Sequence, residues 1–299
     1  MTVVAGSVSP LRLATVTKSV PEVTGGPTRS LAPQPRELIV TLFGLYARDD
    51  HHWLSVASLV RMMAAVGVDG PAVRSSISRL KRRGVLDSVR HHSVVGYALA
   101  SSLIHVIDEG DTRIFGHQRG TIADGFLILA FSVPEAERDK RHALRTILTQ
   151  LGFGTVSPGV WIAPAHKRAE IDESLRRRGL ADYIETFEGN YTSPKALKGK
   201  VAQWWDLRSI AASYSTFIDT YGDVADRHRE YPMSDEDTFA DYVSMLTDWR
   251  RLPYLDPGLP LELLPPEWQG LAAEELFETL HEQLRGPAGR FAQSAIDQR

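Results

Sequence analysis

Near the N-terminal end of this 299-residue chain, apolar residues fall at helical spacing in three successive segments. Between Arg36 and about Arg48, Leu38, Ile39, Leu42, Phe43 and Tyr46 form one stripe of a helix that Pro35 can start. Ser55 can cap a second helix, with Val56, Leu59, Val60, Met63 and Val66 turned inward. The Gly67-Val68-Asp69-Gly70 turn is as short as a helix-turn-helix needs. Asp69 can then cap a third helix with Pro71 in its first turn, where a missing N–H is harmless. Val73, Ile77 and Leu80, at spacings of four and three, share its buried face. Rotation by about 100° per residue puts Ser75, Ser78, Arg79 and Arg82 opposite, flanked by Arg74 and Lys81. Gly84 ends the helix and Val85 to Asp87 starts a strand. Arg90-His91-His92 stands where the chain turns back toward Val94, Val95 and Tyr97.

Further along, Ala100 to about Gln118 reads as a helix, with Asp111-Thr112 as a point of interruption. The period then changes. Gly125 to Val133 is apolar nearly throughout, as in a strand covered on both faces. Glu135 to Gln150 is an amphipathic helix, Phe153–Val156 and Val160–Ala163 a hairpin about Ser157-Pro158-Gly159, Lys167 to Arg178 a helix, and Asp182 to Glu188 a strand. That β-α-β-β-α-β order is the ferredoxin-like one. In the last third, Trp204-Trp205 open a helix toward Tyr221 with Ile210, Tyr214 and Phe217 on its stripe. Asp235 to Leu252 and Glu274 to Leu284 are two more helices. The expected class is α+β. It comprises a tail over 1–35, a winged helix-turn-helix over 36–120, a ferredoxin-like domain over 121–192 and a helical domain over 193–299.

Charge sharpens this picture. Between Pro71 and His92 six fixed positive charges (Arg74, Arg79, Lys81, Arg82, Arg83, Arg90) face one carboxylate, Asp87. Small polar and basic residues outward on a helix, followed by a basic hairpin, suit a DNA major groove and a phosphate-gripping wing. Basic residues near a helix C-terminus also complement its dipole, so the order of three helices and a hairpin carries more weight than the charges. The first 200 residues hold a balance of +7 and the remainder −10, which directs nucleic acid to the N-terminal part. The chain has no cysteine, which removes disulfides, thiolate zinc sites and cysteine nucleophiles. With no apolar run of membrane-spanning length and no signal-peptide core, a cytoplasmic protein is expected.

Several segments together resemble the PaaX family of transcriptional repressors. They are Arg74-Ser75-Ser76-Ile77-Ser78-Arg79-Leu80 with Arg82-Arg83-Gly84, then Gly159-Val160-Trp161-Ile162. The most specific string follows: Trp249-Arg250, Asp256-Pro257, Leu259-Pro260, Leu263-Leu264-Pro265 and Trp268. The similarity covers about residues 36 to 285 and leaves the N-terminal tail outside. It implies a winged helix, a central domain like the CRISPR-associated Cas2 fold and a helical C-terminal domain. It also implies a homodimeric repressor on double-stranded operator DNA of an aromatic-compound catabolic operon, released by an aryl-acyl-CoA such as phenylacetyl-CoA.

The residues assigned to DNA are Arg74, Ser75, Ser78, Arg79, Lys81, Arg82, Arg83, Arg90 and His91. Ser75, Ser78, Arg79 and Arg82 are expected at base edges, and Lys81, Arg83, Arg90 and His91 on the backbone. A coenzyme A thioester needs cations for its phosphates and an apolar pocket for its acyl group. Arg250 and Arg251 beside Trp249 can serve, with Arg208 or Lys167 and Arg168 as alternatives. The expectation is a non-enzymatic protein with no metal and no cofactor. The alternative is an acyl-CoA-responsive enzyme or a metal-dependent nuclease on the Cas2-like fold. The nuclease needs a carboxylate at the end of the first strand, where Ser132-Val133-Pro134 stands instead. Asp124 precedes that strand, and Glu135 and Glu137 follow on a charged helix. Ser78-Arg79-Leu80-Lys81 fits a penicillin-binding nucleophile pattern without its context, and Gly152-Phe153-Gly154 lacks the third glycine of a dinucleotide loop.

Overall fold

The computed structural model describes residues 33–91, 93–116 and 118–298. All but the last three residues of the expected tail, and His92, lie outside these. The chain forms two compact units. One takes residues up to 108 with 231–247 and 282–299, and the other takes 109–230 with 248–281. The last third, read from sequence as one helical segment, is thus divided between the two.

In the first unit, α1 (Pro35–Tyr46) begins where Glu37 accepts the Gln34 N–H at 3.2 Å, and Leu38, Ile39, Leu42 and Phe43 are buried. A short strand, β1 (Trp53–Ser55), leads into α2 (Val56–Ala65), capped by Ser55 Oγ, which accepts from Ser58 N at 2.9 Å. Leu59, Met62 and Met63 are its buried face, while Val56, Val60 and Val66 are half-buried. Gly67, with φ of 76°, takes the left-handed conformation that ends α2. Next comes α3 (Gly70–Arg82), followed by the hairpin β2 (Leu86–His91) and β3 (Val94–Leu99). The sheet order is β1-β3-β2, all antiparallel. Segments from the far end of the chain complete this unit. Thr247 donates to Thr41 Oγ1 at 2.8 Å, and Phe239 packs between Tyr46 (5.8 Å) and Phe291 (4.8 Å). Arg61 donates to the Ala295 carbonyl at 2.7 Å.

The second unit is built on β4 (Phe126–Phe131), β5 (Gly154–Ser157), β6 (Val160–Pro164) and β7 (Ile184–Gly189), in antiparallel order β5-β6-β4-β7. The helices α5 (Arg138–Gln150) and α6 (Arg168–Arg177) interleave with them in the expected β-α-β-β-α-β order. Alternation along β4 places Leu127 and Leu129 in one core with Leu144, Leu148 and Ile171. Phe126 faces the other way, into a core with Ile162, Leu197, Val201, Trp205, Leu259 and Leu263. The sheet is therefore covered on both faces, as its apolar first strand required.

Four element readings need correction. The helix α4 (Ser101–Phe115) runs through Asp111-Thr112 without a break. Trp204 and Trp205 open no helix. Trp204 ends α7 (Pro194–Trp204), and Trp205 lies between it and α8 (Leu207–Tyr221), whose cap is Asp206 accepting from Ser209 N at 3.1 Å. Trp205 is held by the sheet: its Nε1 donates to the Gly152 carbonyl at 2.8 Å, and a Cβ on Gly154 would lie 2.6 Å from its ring. After α9 (Val224–Glu230), the helix α10 ends at Trp249 (Asp235–Trp249), and α11 (Leu252–Leu255) is separate. The last helix, α12 (Gly270–Asp297), passes Gly286-Pro287 because Leu284, Ala288, Ala292 and Ala295 continue one buried face beyond it.

Candidate nucleic-acid interface

Helix α3 presents the basic residues. Asp69 Oδ1 accepts the Ala72 N–H at 2.8 Å, a cap worth about 1 kcal/mol, and Pro71 occupies the first turn. Val73, Ile77 and Leu80 are buried at 5% exposure or less, which fixes the helix roll. Arg74, Ser75, Ser78, Arg79, Lys81, Arg82 and Arg83 are all exposed on the outward side. Gly84, at φ 69°, closes the helix, and Arg90 is exposed on β2.

Arg74, Arg79, Lys81, Arg82 and Arg90 form no ion pair with any described carboxylate. Several arginines elsewhere are engaged: Arg48 with Asp108, Arg168 with Asp172 and Glu188, Arg177 with Glu109, Arg290 with Asp235. Between α2, α3 and β3 lies a cleft of about 400 Å³ with Val56, Val60 and Ile77 on its floor and Arg74, Lys81 and Arg82 at its rim. Lys81 sits over the Tyr97 ring at 5.7 Å, an aromatic support that helical spacing alone does not reveal.

His91, expected on the DNA backbone, is half-buried at the end of β2. Its ring stacks on Trp53, with Nδ1 3.7 Å from Asp50 Oδ1 and His51 edge-on at 5.9 Å. An imidazole packed on an indole, with a carboxylate beside it, supports the hairpin from within and offers little to a phosphate. Trp53, which belongs to none of the helical stripes, is the anchor of that hairpin.

The ligand candidates of the second unit separate. Trp249 belongs to the core, not to a cage: its indole stacks on Phe277 (4.4 Å, 9°) and its Nε1 donates to the Ile114 carbonyl at 3.0 Å. Arg208 is exposed in the first turn of α8, Arg250 is half-buried, and Arg251 lies 3.8 Å from Asp248. Arg168 is held by two carboxylates, whereas its neighbour Lys167 is 6% exposed and hydrogen-bonds no described residue. Burial, with Arg113 adding repulsion, lowers the Lys167 ammonium to about 8.

The carboxylates near β4 are occupied structurally. Asp124 accepts the Thr121 N–H at 2.7 Å in a capping box, and that bond holds it below its ordinary pKa. Glu135 pairs with Arg141 at 3.0 Å and Glu137 with Lys140 at 2.9 Å. Among the described residues no helix is long and apolar enough to cross a membrane.

Three family descriptions match successive segments of the chain. Residues 34–103 match the PaaX-like protein family, residues 121–201 the PaaX protein central Cas2-like domain, and residues 205–294 the PaaX-like protein C-terminal domain. The transcriptional repressor PaaX of Escherichia coli (strain K12) is 27% identical over 264 residues, which take in 85% of this chain and 81% of that protein. An uncharacterized protein of Mycobacterium tuberculosis shares the fold at a TM-score of 0.55 and 20% identity, over 89% of this chain and 99% of that one. With all three segments matched in order, the chain belongs to the PaaX family.

Proposed function

We propose that this chain is a cytoplasmic, non-enzymatic transcriptional repressor that binds double-stranded operator DNA as a homodimer and is released by an aryl-acyl-CoA such as phenylacetyl-CoA. The operon it controls, on this reading, serves aromatic-compound catabolism. The observation that carries the DNA assignment is the concentration of unpaired exposed cations on one side of α3 and on β2. Unpaired cations on one side of a capped helix are the electrostatic footprint of a phosphate backbone. The first unit acts as a winged helix-turn-helix in which α2 and α3 are the two helices and β2–β3 the wing. Ser75, Ser78, Arg79 and Arg82 read base edges in the major groove, while Arg74, Lys81, Arg83 and Arg90 grip the backbone. The E. coli relative, named a transcriptional repressor, supports the regulatory sense.

Release by an acyl-CoA rests on the family resemblance and on cations of the second unit, among them Arg208, which is exposed, and Arg250 and Arg251, which are half-buried. The test is fluorescence anisotropy with labelled duplex from the protein's own promoter region, titrated with salt, phenylacetyl-CoA, phenylacetate and unrelated acyl-CoAs. Tight binding reversed by one ester alone is the expected result. Binding no tighter than to random duplex overturns the repressor reading.

A further inference from the structure

The cleft beside α3 has an apolar floor that the assigned DNA contacts leave unused. Its sides are built from residues one helical turn apart, Val56 and Val60 on α2, Val73 and Ile77 on α3. All four are stiff, β-branched side chains, which cannot swing across a gap between helices as a methionine would. About 400 Å³ therefore stays open above them. Val73 and Ile77 are buried, while Val56 and Val60 are half-buried. Tyr97, from β3, adds an aromatic ring to the lining. Small-molecule sites run from about 300 to 1,000 Å³ and have mostly apolar walls with a few placed polar groups.

The rim of the same cleft is cationic. Lys81 and Arg82 follow Arg74 by seven and eight residues, two turns along one edge of α3, and all three line the opening. Lys81 stands over the Tyr97 ring at 5.7 Å, so charge and apolar wall meet at one point. None of the three cations pairs with a described carboxylate, and no acidic residue is among the described residues of the lining. A phosphodiester would satisfy this rim and leave the floor wet. A neutral apolar molecule would cover the floor and leave the cations alone. A small amphipathic anion does both: its acid group accepts from the rim, and its hydrocarbon part displaces water from the valines and the tyrosine ring.

We propose that this cleft binds a small organic acid, one anionic group on a compact apolar body, through cations assigned above to DNA. The site rests on the geometry of the cleft itself. Its consequence, that acid and DNA exclude one another, rests on the repressor reading.

Isothermal titration calorimetry on the full chain at constant ionic strength tests this, with octanoate, 1-naphthoate, octanamide and inorganic phosphate as separate probes. The expected result is saturable one-to-one binding of octanoate or 1-naphthoate. It should be about tenfold tighter than that of octanamide, which lacks the charge, or of phosphate, which lacks the apolar body. Val60→Phe fills the floor and Lys81→Met uncharges the rim, and each weakens the acid about tenfold. Thermal unfolding checks that Val60→Phe is folded; Lys81 is exposed, so its variant tests the site without disturbing a core. No saturable heat with either acid, octanamide as tight as octanoate, or unchanged binding by both variants overturns the proposal. If no acid binds and Val60→Phe instead weakens duplex binding, the floor belongs to DNA and the proposal falls. Anisotropy with labelled promoter-region duplex reads the competition: saturating acid should release the duplex from the parent and not from Val60→Phe. Acid binding without release keeps the site and overturns the exclusion. Acid binding by a chain that holds no duplex of any sequence keeps the site and overturns the repressor reading.

Discussion

The indole of Trp53 reaches across β3 to stack on His91, with ring centres 5.2 Å apart and planes 19° from parallel. Trp53 lies on β1 and His91 on β2, the two strands on either side of β3. The ring passes over Gly96, where a Cβ would collide with it, and its Nε1 donates to the Val89 carbonyl at 3.1 Å. One side chain thus ties together all three strands of the hairpin sheet.

Substituting Gly96 by Ala should therefore lift the indole and loosen the hairpin while leaving α3 intact. Overpacking of this kind costs about 1–3 kcal/mol. Urea denaturation should show that loss, and DNA affinity should fall with it. A variant as stable as the parent would mean that Trp53 shifts without strain.

His91→Ala separates packing from phosphate contact. Loss of the aromatic pair should cost about 0.5–1.5 kcal/mol of stability. The slope of log affinity against log salt should stay as it is, because no phosphate contact is removed. A slope shallower by about one unit would return His91 to the backbone contacts.

Arg79 and Arg90 make the contrasting pair. Arg79→Ala should reduce the preference for operator over random duplex by about 1–3 kcal/mol if its guanidinium reads a guanine. Arg90→Ala should weaken binding to every sequence alike and lower the salt slope by about one. Anisotropy with specific and scrambled duplexes at several salt concentrations distinguishes them, and equal losses on both duplexes for Arg79→Ala would move it to the backbone.

How much of this was legible in the chain depends on range. Asp69, Val73, Ile77 and Leu80 describe α3 completely, since cap and stripe are local signals and the structure matches them residue for residue. Trp204-Trp205 misled because two large apolar residues continue a helical pattern, although Asp206 with Ser209 three residues later carries the cap that starts α8. The last helix, expected to end at Leu284, continues through Gly286-Pro287, since Leu280 and Leu284 before the breaker and Ala288, Ala292 and Ala295 after it are all buried. The packing of residues 231–247 and 282–298 with α1 and α2 has no local signature, because contacts such as Thr41–Thr247 join positions 206 residues apart. The ligand candidates suffered most. An arginine or tryptophan reads alike at a surface, in a core or at a site, so Trp249 and Lys167 were distinguishable only by what surrounds them.

Arg119 and Asp256 offer a test of the second unit alone. Asp256 is fully buried and its main counter-charge is Arg119, whose side chain is 13% exposed and extends over the Trp268 ring at 5.9 Å. Arg119→Met would take the guanidinium from a buried carboxylate that also accepts from the Tyr214 hydroxyl and the Gly258 N–H. Burial and the adjacent carboxylate push the Tyr214 phenol up, so it remains a donor. The expected cost is about 3–5 kcal/mol. Arg119→Met combined with Asp256→Asn should recover part of it, and denaturation of the two singles and the double measures the coupling. Simple additivity would show that the pair is not a unit.

Lys167 sets a pH dependence with a definite sign. Its ammonium falls from the ordinary 10.5 to about 8 in the folded chain, chiefly through burial and then through Arg113, against the opposing pull of Glu170 and Asp256. At a pH above both values the amine is neutral folded or unfolded, and it adds no cost. Between them the unfolded chain binds the extra proton, so stability falls as pH falls. Below about 8 the group is charged in both states and the full cost, roughly 3 kcal/mol, is present. Lys167→Met should therefore stabilise the protein most at pH 7 and hardly at all at pH 10.5. Thermal unfolding of both proteins from pH 7 to 10.5 checks each step. A stability difference that does not change with pH would mean that Lys167 reaches solvent and carries its charge at no cost.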